Sequence, residues 1–283
     1  MSDAASDALG GGVRTRKGRL WGPASRRGLV AIQIGLLLLF LVSWEAFAAR
    51  FQTGFWTSSP SAIFVELGRW YGSGDLSIDL KLTLAAAAAG FLLGSLSGAL
   101  VGFVLGWVRA LGEIFEPFVL SLYTLPKVAL APLFVLWFGI GLFNKIMFSA
   151  LLVFFMVFFT MFQGAKQVDR DLVANAELLG ASRSDVWLKI ALPFAAVWLF
   201  TGLRIGLPYA LIGAIVGEFV AAQAGVGFRI KEATSYFNTA GVFAGLIVLM
   251  FISFTLLTAL RSIERRVLRW QTVRTTNQVQ PTE

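Results

Sequence analysis

Long apolar stretches alternate along this chain with short polar ones, and the apolar stretches are of helical rather than strand length. Crossing about 30 Å of hydrocarbon takes about 20 residues at 1.5 Å of rise each. Six stretches meet that length, at 29–49, 81–106, 117–138, 145–164, 194–218 and 241–260. They predict an all-α polytopic membrane protein with six transmembrane helices. Its membrane domain runs over 29–260, between a basic tail at 1–28 and a C-terminal tail at 261–283. The third and fifth stretches carry Pro126, Pro132 and Pro208. Proline kinks a helix and frees a backbone carbonyl, so these two spans are candidates for lining a cavity. In the second span Gly90, Gly94, Gly98, Gly102 and Gly106 fall on one face at small-x3-small spacing. That spacing predicts close helix packing, either within the subunit or at a dimer seam.

Composition agrees with the pattern: 57% of the 283 residues are hydrophobic and 14% charged, where soluble domains run near a quarter charged. An ordinary soluble enzyme is excluded. The chain has no His and no Cys, which removes His-based acid/base work, thiolate nucleophiles, disulfides and the common zinc and haem sites, so no metal is expected. The net charge of +8 is unevenly placed. With the N-terminus inside, sixteen Lys and Arg fall in 1–28, 107–116, 165–193 and 261–283, against four in the opposite loops. The positive-inside rule then puts both termini and the loop 165–193 in the cytoplasm. The basic tails read as topology signals and anchors on lipid headgroups rather than nucleic-acid sites. The first, rich in Gly, Ser, Ala and Arg, reads as mostly disordered. Ala46-Phe47-Ala48 superficially matches a signal-peptide cleavage site, but the preceding apolar run is nearly a full span, and its removal would leave five spans and a mismatched charge pattern.

The most patterned polar segment is DLVANAELLGASRSDVWLKIALP, Asp171 to Pro193. It predicts two short helices. Asp171 caps the first, Leu172, Ala176 and Leu179 give it an apolar face, and Gly180 occupies the left-handed position at its end. Ser182 and Asp185 form a capping box for the second, and Pro193 ends it and begins the next span. An amphipathic hairpin on the headgroups is the bland reading. However, nine residues separate Gly180 from Ile190, and Ala191, Leu192 and Pro193 follow. This G-x9-I-x-L-P resembles the cytoplasmic signature E-A-A-x3-G-x9-I-x-L-P of permease subunits of bacterial ATP-binding-cassette importers. The Glu-Ala-Ala of that signature falls on Ala174, Asn175 and Ala176, and the first two depart from it; Glu177 lies on a neighbouring face of the same helix. SLYTLPKVALAPLFVLWFGIG (121–141), GEFVAAQAGVGFRI (217–230) and FWTSSPSAIF (55–64) resemble the subgroup that imports taurine, alkanesulfonates, nitrate or thiamine-precursor pyrimidines, and the likeness covers residues 30–270.

The resemblance implies a type I importer permease in a bacterial inner membrane. It would work with a second permease copy in a homodimer, two cytoplasmic ATPase subunits and an extracytoplasmic solute-binding protein. The chain has no G-x4-G-K-[ST] phosphate loop, so ATP and Mg are expected on the partner ATPase. Ala174, Asn175, Ala176, Glu177, Gly180, Ile190, Leu192 and Pro193 would make up the ATPase-coupling loop.

Ionisable residues within spans are costly and usually face a cavity. Lys127 and Arg204 are the mid-span cations; with Tyr123 and Thr124 as neutral donors and Glu218 nearer the outer face, they are the candidate lining for a small anionic or zwitterionic solute such as a sulfonate, taurine or nitrate. Alternatively, the two cations snorkel, or pair with Glu218 of the same or the partner subunit. A rival function is an ion-coupled secondary transporter, which normally needs mid-span carboxylates or repeated halves. A membrane-embedded enzyme would lack obvious catalytic groups.

Overall fold

The computed structural model describes residues 26–51 and 56–268. The expectations made for 1–25 and 269–283 lie outside the described residues. The chain divides into two units. The first contains a single described helix, α1 (Arg26–Phe51). Its stretch Gly28–Arg50 is long and apolar enough to span a membrane.

The second unit holds α2 (Pro60–Gly72), α3 (Asp75–Trp107), α4 (Arg109–Thr124), a 3-10 turn (Lys127–Leu130), α5 (Ala131–Phe138) and α6 (Leu142–Lys166). After these come α7 (Arg170–Leu178), α8 (Arg183–Val186), a π-helical turn (Trp187–Ala191), α9 (Leu192–Ala221), α10 (Val226–Ser235) and α11 (Thr239–Val267). Among the described residues five helical stretches qualify as spans: the one in α1, α3, α6, the continuous run Arg183–Ala221, and α11. The expected span at 117–138 is instead a bent pair, Arg109–Thr124 and Lys127–Phe138, meeting at 81°. The break has a local cause. Leu125 is extended (φ −62°, ψ 138°), as a residue before proline must commonly be, and Pro126 has no N–H to continue the helix. Pro132 then sits in the first turn of α5, where it is tolerated. Pro208, by contrast, lies inside α9 without interrupting it.

Helix α6 is the central element. It runs parallel to α3 and antiparallel to α9, and small residues bring all three backbones together. A Cβ on Gly98 would lie 2.6 Å from the Phe154 carbonyl oxygen, and one on Gly102 would lie 2.6 Å from that of Phe158; Gly90, Gly94 and Gly106 abut α6 in the same way. The glycine stripe of α3 is therefore a seam within the subunit. On the other side of α6, Gly202, Gly206, Gly213 and Gly217 of α9 meet Thr160, Val153, Ser149 and Lys145 in turn. Ser149, fully buried between Gly90 and Gly213, donates to the Ala210 carbonyl at 2.9 Å. This packing puts the ends of α3 and α6 and the start of α9 at one pole, with the segment 167–191. The starts of α3 and α6 and the end of α9 meet at the other.

The bent pair follows α6 from pole to pole. Lys166 pairs with Glu116 at 3.1 Å, Tyr123 meets Phe159 edge-on at 4.7 Å, and Phe138 meets Phe143 at 5.3 Å. The break thus falls beside the middle of α6.

Candidate functional site

At the first pole, α7 is built as a capped rigid piece. Its N-cap is Asp169, not Asp171: the Asp169 carboxylate accepts from the backbone N–H groups of Asp171 (2.9 Å) and Leu172 (3.3 Å). Asp169 has the extended backbone a cap needs, whereas Asp171 lies in the first turn, where its charge still opposes the helix dipole. At the other end Gly180 has φ +88°. The N–H of Ala181 donates to the Ala176 carbonyl and that of Gly180 to the Glu177 carbonyl, both at 3.0 Å, which closes a Schellman motif.

The expected capping box starts α8. Ser182 Oγ accepts from the Asp185 N–H at 3.2 Å, and the Asp185 carboxylate accepts from the Ser182 N–H at 3.1 Å. The second helix does not end at Pro193, however. It passes through the π-helical turn into α9, and Pro193 falls in the first turn of that helix. A π turn replaces the regular ladder just before the proline, so the lost N–H and the ring clash do not break the run.

The face of α7 expected to be apolar is largely uncovered among the described residues. Leu172, Leu178 and Leu179 are exposed, the last to 90%; Ala174, Asn175, Glu177 and Gly180 are exposed as well, and Ala176 is half-buried. Of the remaining signature positions, Ile190 and Pro193 are half-buried and Leu192 is exposed.

The structure brings Tyr123, Thr124 and Lys127 together at the break of the bent pair. The Lys127 ammonium donates to the Tyr123 carbonyl at 2.6 Å and lies 4.2 Å from the Tyr123 ring and 4.8 Å from that of Phe155. Helix breakage supplies that carbonyl, and the rings hold the cation over their faces. Thr124 is exposed, its hydroxyl donating to Ser121. Within the chain neither Lys127 nor Arg204 pairs with Glu218: Arg204 forms an ion pair with Glu264 of α11.

Glu218 belongs to a network at the second pole that was not foreseen, and it has no exposed surface. Its carboxylate accepts from the Thr83 hydroxyl (2.9 Å) and the Gly227 N–H (2.8 Å), and Lys145 lies at 3.5 Å. Lys145 also donates to the Ala224 carbonyl at 3.1 Å. Alongside, the buried Asp79 accepts from the Gly225 N–H (2.7 Å) and from Arg229 (2.6 Å), while Thr83 accepts from the Val226 N–H (2.9 Å). Gly225 is left-handed at φ +129°, and the Glu218 carboxylate occupies the place of its missing Cβ. The segment 222–227 is thereby tied to α3, α6 and α9 at once.

Residues 90–269 match the family described as the binding-protein-dependent transport system inner membrane component. The chain belongs to that family. Its relatives include the riboflavin transport system permease protein RibX of Chloroflexus aurantiacus, 36% identical over 83% of this chain and 88% of that one. The taurine transport system permease protein TauC of Escherichia coli is 36% identical over 56% of this chain and 57% of its own length. The formylaminopyrimidine transport permease protein ThiX of Halalkalibacterium halodurans is 31% identical over 58% and 66%. Among solved structures, a chain of the MetNI methionine ABC transporter in inward facing conformations superposes with a TM-score of 0.57 at 20% identity, covering 68% of this chain and 95% of that one, and shares the fold. The chain is thus a permease of an ATP-binding-cassette importer: a multi-pass inner-membrane transport component rather than an enzyme, of a family that works with ATPase and binding-protein subunits. The ion-coupled carrier is not favoured.

Proposed function

We propose that two copies of this chain form the solute pathway of the importer and that α7 docks into a cytoplasmic ATPase subunit, one per copy. The observation that carries this is a short helix, capped at both ends, whose leucines project uncovered from the pole where α3, α6 and α9 converge. Ala174, Asn175, Ala176 and Glu177 form its docking stretch. Gly180 aims it, and Ile190, Leu192 and Pro193 carry its displacement into α9. ATP and Mg bind on the ATPase, and a solute-binding protein delivers at the opposite pole.

This reading fixes the orientation: both termini and α7 are cytoplasmic, in line with sixteen Lys and Arg against four. The chain has no cysteine of its own, so Ser182→Cys tests it cleanly. An impermeant maleimide should label Ser182→Cys in inside-out vesicles and not in intact spheroplasts; labelling from outside would reverse the map.

For the solute, the Tyr123–Thr124–Lys127 cluster at the break is the proposed contact, and a small anionic or zwitterionic compound is the class it fits, with Arg204 as a second cation toward the cytoplasmic pole. A flat heteroaromatic solute is the second reading, favoured by the breadth of the likeness to the riboflavin permease and by the partial exposure of Tyr123. Lys127→Ala separates the two. Uptake of taurine or an alkanesulfonate should fall about tenfold, the equivalent of losing one charge-assisted contact, with assembly intact. Unchanged riboflavin uptake in the same variant would favour the second reading, and unchanged uptake of both would remove Lys127 from the pathway.

A further inference from the structure

The ring of Trp187 lies against the end of α3. It meets Phe103 edge-on at 5.2 Å and Trp107 at 5.6 Å, while Phe103 and Trp107 stack on each other at 6.0 Å. Phe103 is buried, as is Val186 just before Trp187. Trp187 is also the first residue of the π-helical turn. Such a turn holds one residue more than an α-turn, so whatever precedes it is rotated by about 100° relative to an uninterrupted helix leading into the same span. The rotation decides which way Trp187 points. In a plain α-helix from 183 to 221 it would sit about a quarter-turn round the axis, away from α3.

The loop is joined to the bundle unequally. Helix α8 continues covalently into α9, so displacement of α7 reaches α9 through the chain itself. Helix α3 has no covalent link of this kind: it stops at Trp107, Val108 is extended (φ −89°, ψ 97°), and its other tie to the loop is indirect, through its packing on α6, which leads into α7. We infer that Trp187, seated on Phe103 and Trp107, is the direct contact through which displacement of the coupling loop enters α3, beside the indirect path along α6, so that α3 and α9 move as one. Trp187 is on this account a positioning residue, acting through the aromatic contact and not by touching solute or ATPase. The inference rests on the proposed docking of α7.

The test uses the complete importer, with ATPase subunits, in proteoliposomes. The readout is the factor by which the cognate binding protein, purified from the periplasm, stimulates ATP hydrolysis. That signal must cross the permease from one pole to the other. In Trp187→Leu the ATPase should co-purify as in the parent and basal hydrolysis should be kept, while stimulation falls about fivefold or more, the usual size of a coupling between sites. Trp187→Phe, which keeps an aromatic contact, should retain most of it. Phe103→Leu should reproduce the loss, and the double variant should lose no more than either single one, because both remove one contact.

Stimulation in Trp187→Leu equal to the parent would overturn the inference, as would additive losses in the double variant. Because 42% of the Trp187 surface is still exposed, loss of ATPase co-purification would also overturn it, by placing Trp187 in the ATPase contact. If Trp187→Leu does not accumulate, Phe103→Leu decides by the same criterion. Gly180→Val keeps the two readings apart: parental behaviour there removes the docking of α7 itself, whereas uncoupling there with parental Trp187→Leu removes only the route through Trp187.

Discussion

Gly180→Val is expected to leave the subunit folded and inserted but to abolish transport. The backbone at Gly180 is left-handed at φ +88°. That conformation costs a side-chain-bearing residue roughly 1–2 kcal/mol and is worse for a β-branched one. A Cβ there would meet nothing within 4 Å, so the penalty is purely conformational. Nothing is gained by moving the bundle; the turn between α7 and α8 changes instead, and α7 loses its aim. Because most of the described side chains of α7 are exposed and only Val173 and Ala176 are half-buried, the rest of the fold should not notice. Gly180→Asn should be much milder, since asparagine tolerates the left-handed region, and Glu177→Ala milder too unless Glu177 supplies the acid missing at Ala174. Co-purification with the ATPase followed by ATP-driven uptake distinguishes these outcomes; full uptake by Gly180→Val would reduce the loop to a hairpin on the headgroups.

Glu218→Ala should act at the other pole and through stability. Removing the carboxylate leaves the Thr83 hydroxyl and the Gly227 N–H without their acceptor. It also leaves Lys145, 5% exposed, as a buried cation without its counter-ion. Breaking a buried pair from one side costs about 3–5 kcal/mol, whereas replacing both partners by apolar groups is often near neutral. The single variant should therefore lose accumulation and melt well below the parent in detergent, and Glu218→Leu combined with Lys145→Met should recover a large part of the loss. An unchanged melting temperature for Glu218→Ala would contradict the network's holding role.

Helical spacing made much of this legible in the sequence. Gly90 to Gly106 announce a close seam because nothing larger fits a backbone carbonyl at 2.6 Å, though not which helix they face. Gly180, Ser182 and Asp185 announce their caps because capping is local, and what they cap is three residues away. Asp171 misled for the same reason: Asp169, two residues earlier, also satisfies the local rule, and only the backbone geometry separates them. The bent pair was half legible. Pro126 marks a kink, but an 81° bend depends on how α4 and α5 pack along α6. The network around Glu218 was hidden by distance. Thr83 and Glu218 lie 135 residues apart and Asp79 and Gly225 lie 146 apart, and Asp79 and Lys145 sit at the edges of apolar windows, where charges read as span ends. The π turn at Trp187 has no sequence signal beyond the proline six residues on.

The central claim is that this permease moves solute only as the membrane part of an ATP-driven machine. The most direct measurement is ATP hydrolysis in proteoliposomes holding the partner ATPase with or without this chain, before and after addition of the cognate binding protein. The account predicts that the binding protein accelerates hydrolysis when the chain is present and has no effect when it is absent. It would be contradicted if the chain failed to retain the ATPase through purification, or if hydrolysis did not respond to the binding protein in its presence.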